Sequence, residues 1–326
     1  MKMDFTKKVI LLTGGTGSFG QAFTETMLKK HDPRTIRIFS RDELKQWEME
    51  KRFGNDRRLR FFIGDVRDKD RVERAMDGAD IVVHAAALKQ VPLCEYNPFE
   101  AVKTNIVGAQ NIIDAAIDHN IEKVLALSSD KAVNPVNLYG ATKMCMEKLF
   151  VAANAYVGPF RRTKMSCVRY GNVVGSRGSV IPLFRKQKVT GKVSITDKRM
   201  TRFWITLEHG VELVLNSLDM MMGGEIFVPK IPSMKIMDLA KAVAPECKIG
   251  IVGIRPGEKI HECLLTEDES RHTLEFDGFF MIEPEHSFWK VKNIKGRRLP
   301  DDFRYTSDTN DKWLTISQLK NMAAGL

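Results

Sequence analysis

The 326-residue chain is short of cysteine and has no long apolar run, and these two shortages already remove several classes of protein. Its five cysteines, Cys94, Cys145, Cys167, Cys247 and Cys263, are odd in number, widely spaced and without a CxxC pair. This argues against a disulfide framework and a structural zinc site, and for a reducing, cytoplasmic compartment. No two of the seven histidines lie three to five positions apart, so no metal site is read. The longest apolar stretches, 9–12 and 81–88 with His84 inside it, fall far short of the roughly 20 residues of a membrane span. The opening MKMDFTKKVILL puts lysines before a short apolar run that enters a glycine loop, which reads as a first strand and not as a targeting segment. Basic clusters at 51–60 and 290–298 lack aromatic interleaving and match no DNA-reading motif, so the formal charge of +10 does not imply nucleic acid. What is present is ordinary for a folded globular protein: 43% hydrophobic and 28% charged residues, enough for one large domain or two modest ones.

A β-branched apolar run, a turn and a helical period recur from the N-terminus to about residue 170, the signature of βα units and a parallel sheet. The pattern predicts strands at 8–13, 35–40, 59–64, 80–84, 123–128 and 164–169. Helices are expected at 17–30, 41–52, 68–76, 98–120 and 139–156. The rhythm then breaks into Gly- and Pro-bearing stretches with shorter helices near 207–218 and 235–243. The expected fold is α/β: a Rossmann-type doubly wound parallel sheet over 1–172, carrying cofactor and catalytic segment, and a smaller irregular α/β lobe over 173–326 for substrate. No repeat or linker separates them, so the chain is free to cross back between the lobes.

Directly after the first strand stands Thr13-Gly14-Gly15-Thr16-Gly17-Ser18-Phe19-Gly20. Such glycines let backbone approach a diphosphate, and the helix that follows offers N–H groups and a favourable dipole, so Thr13, Gly14, Gly17, Ser18, Phe19 and Gly20 are read as a dinucleotide loop. An NAD site would place a carboxylate about 20 positions on for the ribose hydroxyls. Ser40 and Arg41 stand there instead and suit a 2′-phosphate, which favours NADP; the counter-reading makes Asp42, otherwise a helix-start residue, the ribose ligand. Asp65 and Val66 after the third strand are expected near the adenine. Ala85 and Ala86 follow the fourth strand, with Lys89 beyond them placed to touch cofactor or sugar.

After the fifth strand the chain reads SSDKAVNPVNLYGATK, from Ser128 to Lys143. Tyr139 and Lys143 are i and i+4 on one helix face, so the ammonium is expected beside the phenol, lowering its pKa from about 10 toward neutrality. With Ser129 at a strand end and the N-terminal glycine loop, this constellation resembles the extended short-chain dehydrogenase/reductase superfamily, over nearly the whole chain. The stretch Arg169-Tyr170-Gly171-Asn172-Val173 is similar to that family's segment in which an asparagine contacts the substrate diphosphate. Arg255-Pro256-Gly257-Glu258-Lys259 is similar to its C-terminal diphosphate-binding segment, which assigns Arg255 and Glu258.

Retaining 4,6-dehydratases usually carry Thr-Asp-Glu where this chain has Ser129-Asp130-Lys131, and their tyrosine lies further on. Both departures, with NPxxxYGATK and the MTRFWIT segment at 200–206, resemble the inverting UDP-N-acetylglucosamine 4,6-dehydratases. The resemblance implies a cytoplasmic homo-oligomer, dimer or hexamer, acting on UDP-N-acetylglucosamine with tightly bound, recycled NADP at the first step of pseudaminic acid synthesis for flagellin or another surface glycan. It implies that Tyr139, assisted by Lys143, takes the C4 hydroxyl proton, that Ser129 bonds the C4 oxygen, and that protonated Asp130 gives its proton to the leaving C6 hydroxyl. Lys131 is the candidate C5 base, a role needing its pKa to fall by about 3 units through burial beside cationic neighbours. Lys89, Asn172, Arg177, Arg199, Arg202, Arg255 and Glu258 are the candidate substrate contacts, and Asn105 a positioning residue. A UDP-sugar C4 epimerase, a retaining dehydratase and a catalytically silent NADP sensor are the competing readings. Asp130-Lys131 separates the first, Lys131 the second, and intact Ser129, Tyr139 and Lys143 the third.

Overall fold

A computed structural model describes residues 3–158, 160–175, 180–285 and 294–325. Strand β1 (Val9–Thr13) is followed by α1 (Ser18–Lys30), β2 (Thr35–Ser40), α2 (Glu43–Arg52), β3 (Leu59–Ile63), α3 (Lys69–Met76) and β4 (Ile81–His84). Short helices α4 (Val91–Tyr96) and α5 (Pro98–Val102), a π-helical turn (Lys103–Val107) and α6 (Gly108–Asp118) lead to β5 (Lys123–Leu127). A 3₁₀ turn (Asp130–Ala132), α7 (Leu138–Ala153) and β6 (Lys164–Val168) complete the first part. The six expected strands and the doubly wound order are present, with pairing β3-β2-β1-β4-β5-β6, all parallel.

The central strands β1 and β4 are apolar on both faces because helices cover both. In β1, Leu11 packs toward Ile112 and Ala116 of α6 and Phe150 of α7, while Ile10 and Leu12 pack toward Phe23 and Met27 of α1. The helix Leu207–Met220, from the later chain, closes that second face with Val214 and Leu218. The sheet continues beyond β6 into the later chain as well. Ile226–Pro229 adds parallel to β6, and Phe279–Ile282, Thr273–Glu275 and Arg297–Arg298 follow antiparallel to give ten strands. A further apolar cluster of Phe184, Val193, Ile195, Trp204, Leu239 and Leu319 forms the core of the smaller C-terminal part.

Sequence periodicity suggests one helix over 98–120, but the structure divides it. At the π-helical turn the Asn105 side chain accepts from Leu88 N–H and donates to Leu88 C=O, both at 2.8 Å, and donates to Thr142 Oγ1 at 2.9 Å. A side chain that serves the loop after β4 and helix α7 together has to leave the regular helical register. Helix α4 carries no strong periodicity and was not legible in the sequence.

Candidate active site

The carboxyl ends of β1 to β6 open into a cleft of about 660 Å³, the position where parallel α/β sheets bind ligands. At one end lies the glycine loop. Gly14 has φ +66°, and a Cβ there would meet the backbone of Ala85 and Ala86 at 2.8–2.9 Å. Helix α1 starts after Gly17 with no side-chain cap and no acidic residue in its first turn. Its leading N–H groups and positive end of the dipole are thus left to an anionic ligand, as a dinucleotide diphosphate requires. Thr13 lies beneath the cleft. Its Oγ1 accepts from Ala85 and Ala86 N–H at 3.2 Å and so donates to His84 Nδ1 at 2.8 Å, bracing the strand ends.

The cleft wall includes Gly14, Gly17, Ser18, Phe19, Gly20, Ser40, Arg41, Asp65, Val66, Ala85 and Ala86. Ser40 Oγ accepts from Gln46 Nε2 at 3.0 Å, and Asp42 accepts from Lys45 N–H at 3.0 Å as the cap of α2. Lys45, which sequence reasoning did not single out, joins Arg41 at this end. Asp65 is already engaged by Arg67 Nη2 at 2.6 Å and lies 3.7 Å from Arg41. Burial pushes its carboxyl up, but Arg67 and Arg41 outweigh this and hold it below the usual range.

The other end gathers Ser129, Asp130, Lys131, Tyr139, Lys143, Lys89 and Asn172. The 3₁₀ turn is set by Ser129 Oγ, which accepts from Lys131 N–H at 3.2 Å and donates to Asp130 Oδ1 at 2.8 Å. Lys131 Nζ donates to the same Oδ1 at 3.0 Å, while Oδ2 is buried with no hydrogen-bond partner among the described residues. Gly140 admits α7 against this turn, since a Cβ there would stand 2.1 Å from Lys131 O. Asn172 Oδ1 and Trp204 Nε1, also in the cleft, are buried polar atoms without partners among the described residues.

Two electrostatic expectations are corrected. Burial lowers the Lys131 ammonium, but Asp130 and Glu262, the latter 3.7 Å away, outweigh both burial and the opposing Arg202, so its pKa is raised and not depressed. Burial likewise pushes the Tyr139 phenol up to about 12, against Lys131 and the Ser129 hydrogen bond. Lys143 does not supply the expected relief: its Nζ contacts Met146 Sδ at 3.2 Å, and burial pulls it down to about 8.

Other candidates among the described residues fall outside the cleft. Arg199 is exposed and paired with Asp197 at 2.7 Å. Arg202 donates to the carbonyls of Thr201, Ile260 and Lys259 at 2.6–2.9 Å, so its guanidinium bonds to backbone. Arg255 is exposed, 3.8 Å from Glu258. Arg177 lies outside the described residues. Glu262 was missed in the sequence; its position within GEKIHE carries no sign that it folds back to Lys131.

Comparison with known proteins agrees with this architecture. The model of the "Polysaccharide biosynthesis protein" family matches residues 10–284. The chain is 53% identical to UDP-N-acetylglucosamine 4,6-dehydratase (inverting) of Campylobacter jejuni, covering 97% of both chains. It is 42% identical to a UDP-glucose 4-epimerase of Rickettsia akari, over 98% of this chain and 96% of that one. The solved structure of Pen from Bacillus thuringiensis superposes with a TM-score of 0.90 at 39% identity, covering 99% of this chain and 100% of that one. The chain therefore belongs to the polysaccharide biosynthesis protein family, in the same lineage as the inverting UDP-N-acetylglucosamine 4,6-dehydratases.

Proposed function

We propose that the chain is an NADP-dependent inverting UDP-N-acetylglucosamine 4,6-dehydratase, a hydro-lyase that oxidises C4, eliminates water across C5 and C6, and returns hydride to C6. The observation that carries this reading is the Lys131 to Asp130 contact of 3.0 Å beside Ser129 and Tyr139 in the cleft. A C4 epimerase has no use for an acid and a base directed at C6 and C5, although relatives named as epimerases share 42% of the sequence.

The glycine loop, α1 and Arg41 would hold the dinucleotide, which when bound supplies a hydride acceptor and a positive charge beside the phenol. Its phenol lowered by that charge, Tyr139 gives its own proton to solvent and as phenolate takes the C4 hydroxyl proton, while Ser129 turns from Asp130 to donate to the C4 oxygen. At rest Asp130 and Lys131 form an ion pair. Exclusion of water by substrate penalises both charges and favours moving the proton from Nζ to the carboxylate. This single transfer leaves a neutral amine and a neutral acid. The amine removes the C5 proton, acidified by the adjacent ketone, and Asp130 gives its proton to the departing C6 hydroxyl as water. Reprotonation of C5 from the opposite face then inverts it. Asn172 and Trp204 present unpaired polar atoms for substrate. Residues 173–326 contribute most of the substrate contacts, and the product enters pseudaminic acid synthesis in a cytoplasmic homo-oligomer. Among the described residues no helix is long and apolar enough to cross a membrane.

The test is NMR of the purified protein with UDP-N-acetylglucosamine in deuterated water, without added cofactor. A 4-keto-6-deoxy product with deuterium at an inverted C5 is expected. Interconversion at C4 alone would establish an epimerase, and silence even with NADP would end this assignment.

A further inference from the structure

The segment from Gly257 to Glu262 lies across the catalytic loop. Asn137 Nδ2 donates to Gly257 O at 2.8 Å, and Lys259 Nζ donates to Val133 O. At its end Glu262 is 3% exposed. Its backbone N–H donates to Ser307 Oγ at 2.9 Å, and its C=O accepts from Ser307 N–H at 2.8 Å. Glu262 Oε1 lies 3.7 Å from Lys131 Nζ and 3.6 Å from Arg202 Nε, and Oε2 lies 3.9 Å from Lys259 Nζ with no hydrogen bond among the described residues. A carboxylate this deeply buried is costly unless its neighbours compensate it. Here three cations converge on it, and only Lys131 belongs to the catalytic turn.

We propose that Glu262 is a positioning residue of the reaction, a fixed counter-charge that holds the Lys131 side chain in place and ties it to the 257–262 segment. The inference rests on the reading of Lys131 as the C5 base. The backbone bonds to Ser307 hold Glu262 whatever its side-chain charge, so the carboxylate is a rigid reference against which Nζ is placed. The groups facing Lys131 are Asp130 from its own turn, Glu262 from this segment, Arg202 from the strand Thr201–Ile205, Tyr139 from α7 and Lys89 from the loop after β4. Of these only Asp130 and Glu262 carry negative charge, so removing Glu262 leaves Asp130 alone to oppose the cations.

The experiment follows the lysine Cε signals of ¹³C-lysine-labelled full-length protein across pH, with Lys131 identified as the signal lost in Lys131→Arg, alongside pH profiles of kcat. In Glu262→Gln the Lys131 midpoint is expected to fall by about 1 unit. The alkaline limb of kcat, where the Asp130–Lys131 pair loses its one proton, should move down with it, and plateau kcat should drop about tenfold or more from misplacement with KM nearly unchanged. An unmoved Lys131 midpoint in folded Glu262→Gln overturns the proposal. A moved midpoint with an unmoved rate profile overturns instead the base role of Lys131, leaving its coupling to Glu262 established. If Glu262→Gln does not fold, Glu262→Asp decides: its retracted carboxylate should give a smaller but resolved fall, and no fall overturns the proposal.

Discussion

In the proposed mechanism a proton moved over the 3.0 Å between Lys131 and Asp130 converts a charged pair into an acid and a base, which makes these two positions the most informative to substitute. Asp130→Asn should cut dehydration by about 10²- to 10⁴-fold, the usual worth of a general acid, while reduction of the nicotinamide, followed by absorbance, still reports C4 oxidation. Lys131→Glu tests the base directly; unchanged turnover with unchanged C5 configuration would defeat its assignment. Lys143 has a different signature. Its folded pKa of about 8 lies below the ordinary lysine value, so between about pH 8 and 10 the unfolded chain binds more protons. Its contribution to stability therefore rises with pH across that window. Denaturant unfolding at several pH values should show this rise flattened in Lys143→Met relative to the parent.

At the scale of elements, helix α7 carries Tyr139 and Lys143 and must approach the 3₁₀ turn more closely than a side chain permits. Gly140→Ala places a Cβ 2.1 Å from Lys131 O, so loss of turnover should exceed any change in dinucleotide affinity measured by titration. The same helix is anchored from beneath. Arg169, buried at the end of β6, bonds Glu147 of α7 at 2.7 and 2.8 Å and Glu269 at 2.7 and 3.0 Å. Arg169→Met would leave one buried and one half-buried carboxylate without their cation, a loss of about 3–5 kcal/mol visible as a lower denaturation midpoint. Sequence reasoning read Arg169 only as the start of the RYGNV stretch. Its role depends on Glu147 and Glu269, 22 and 100 positions away, and no local pattern reports such a pairing.

For the whole molecule, the proposed cofactor choice draws on several elements together: Ser40 at the end of β2, Arg41 after it, Lys45 on α2 and Asp65 after β3. Arg41→Ala should weaken NADP binding more than NAD binding, and weakening both equally would remove the 2′-phosphate assignment. The later chain is not simply an appended lobe. It supplies four strands to the main sheet and one covering helix, so an isolated fragment of residues 1–172 would expose the β6 edge and the apolar face under Val214 and Leu218.

By itself the sequence determined the βα alternation, the six N-terminal strands and the glycine loop, because short-range periodicity and turn chemistry are local properties. It also placed Ser129, Asp130, Lys131, Tyr139 and Lys143 in one segment, so their convergence needed only a strand, a turn and a helix. What the tertiary structure alone decided is their electrostatic state. Lys131 is lowered by burial and raised first by its neighbour Asp130, and then by Glu262, 131 positions away in sequence and 3.7 Å away in space. Burial and long-range charge are properties of the packed chain, and they also account for Tyr139 staying protonated at rest and for Arg202 turning to backbone carbonyls instead of the cleft.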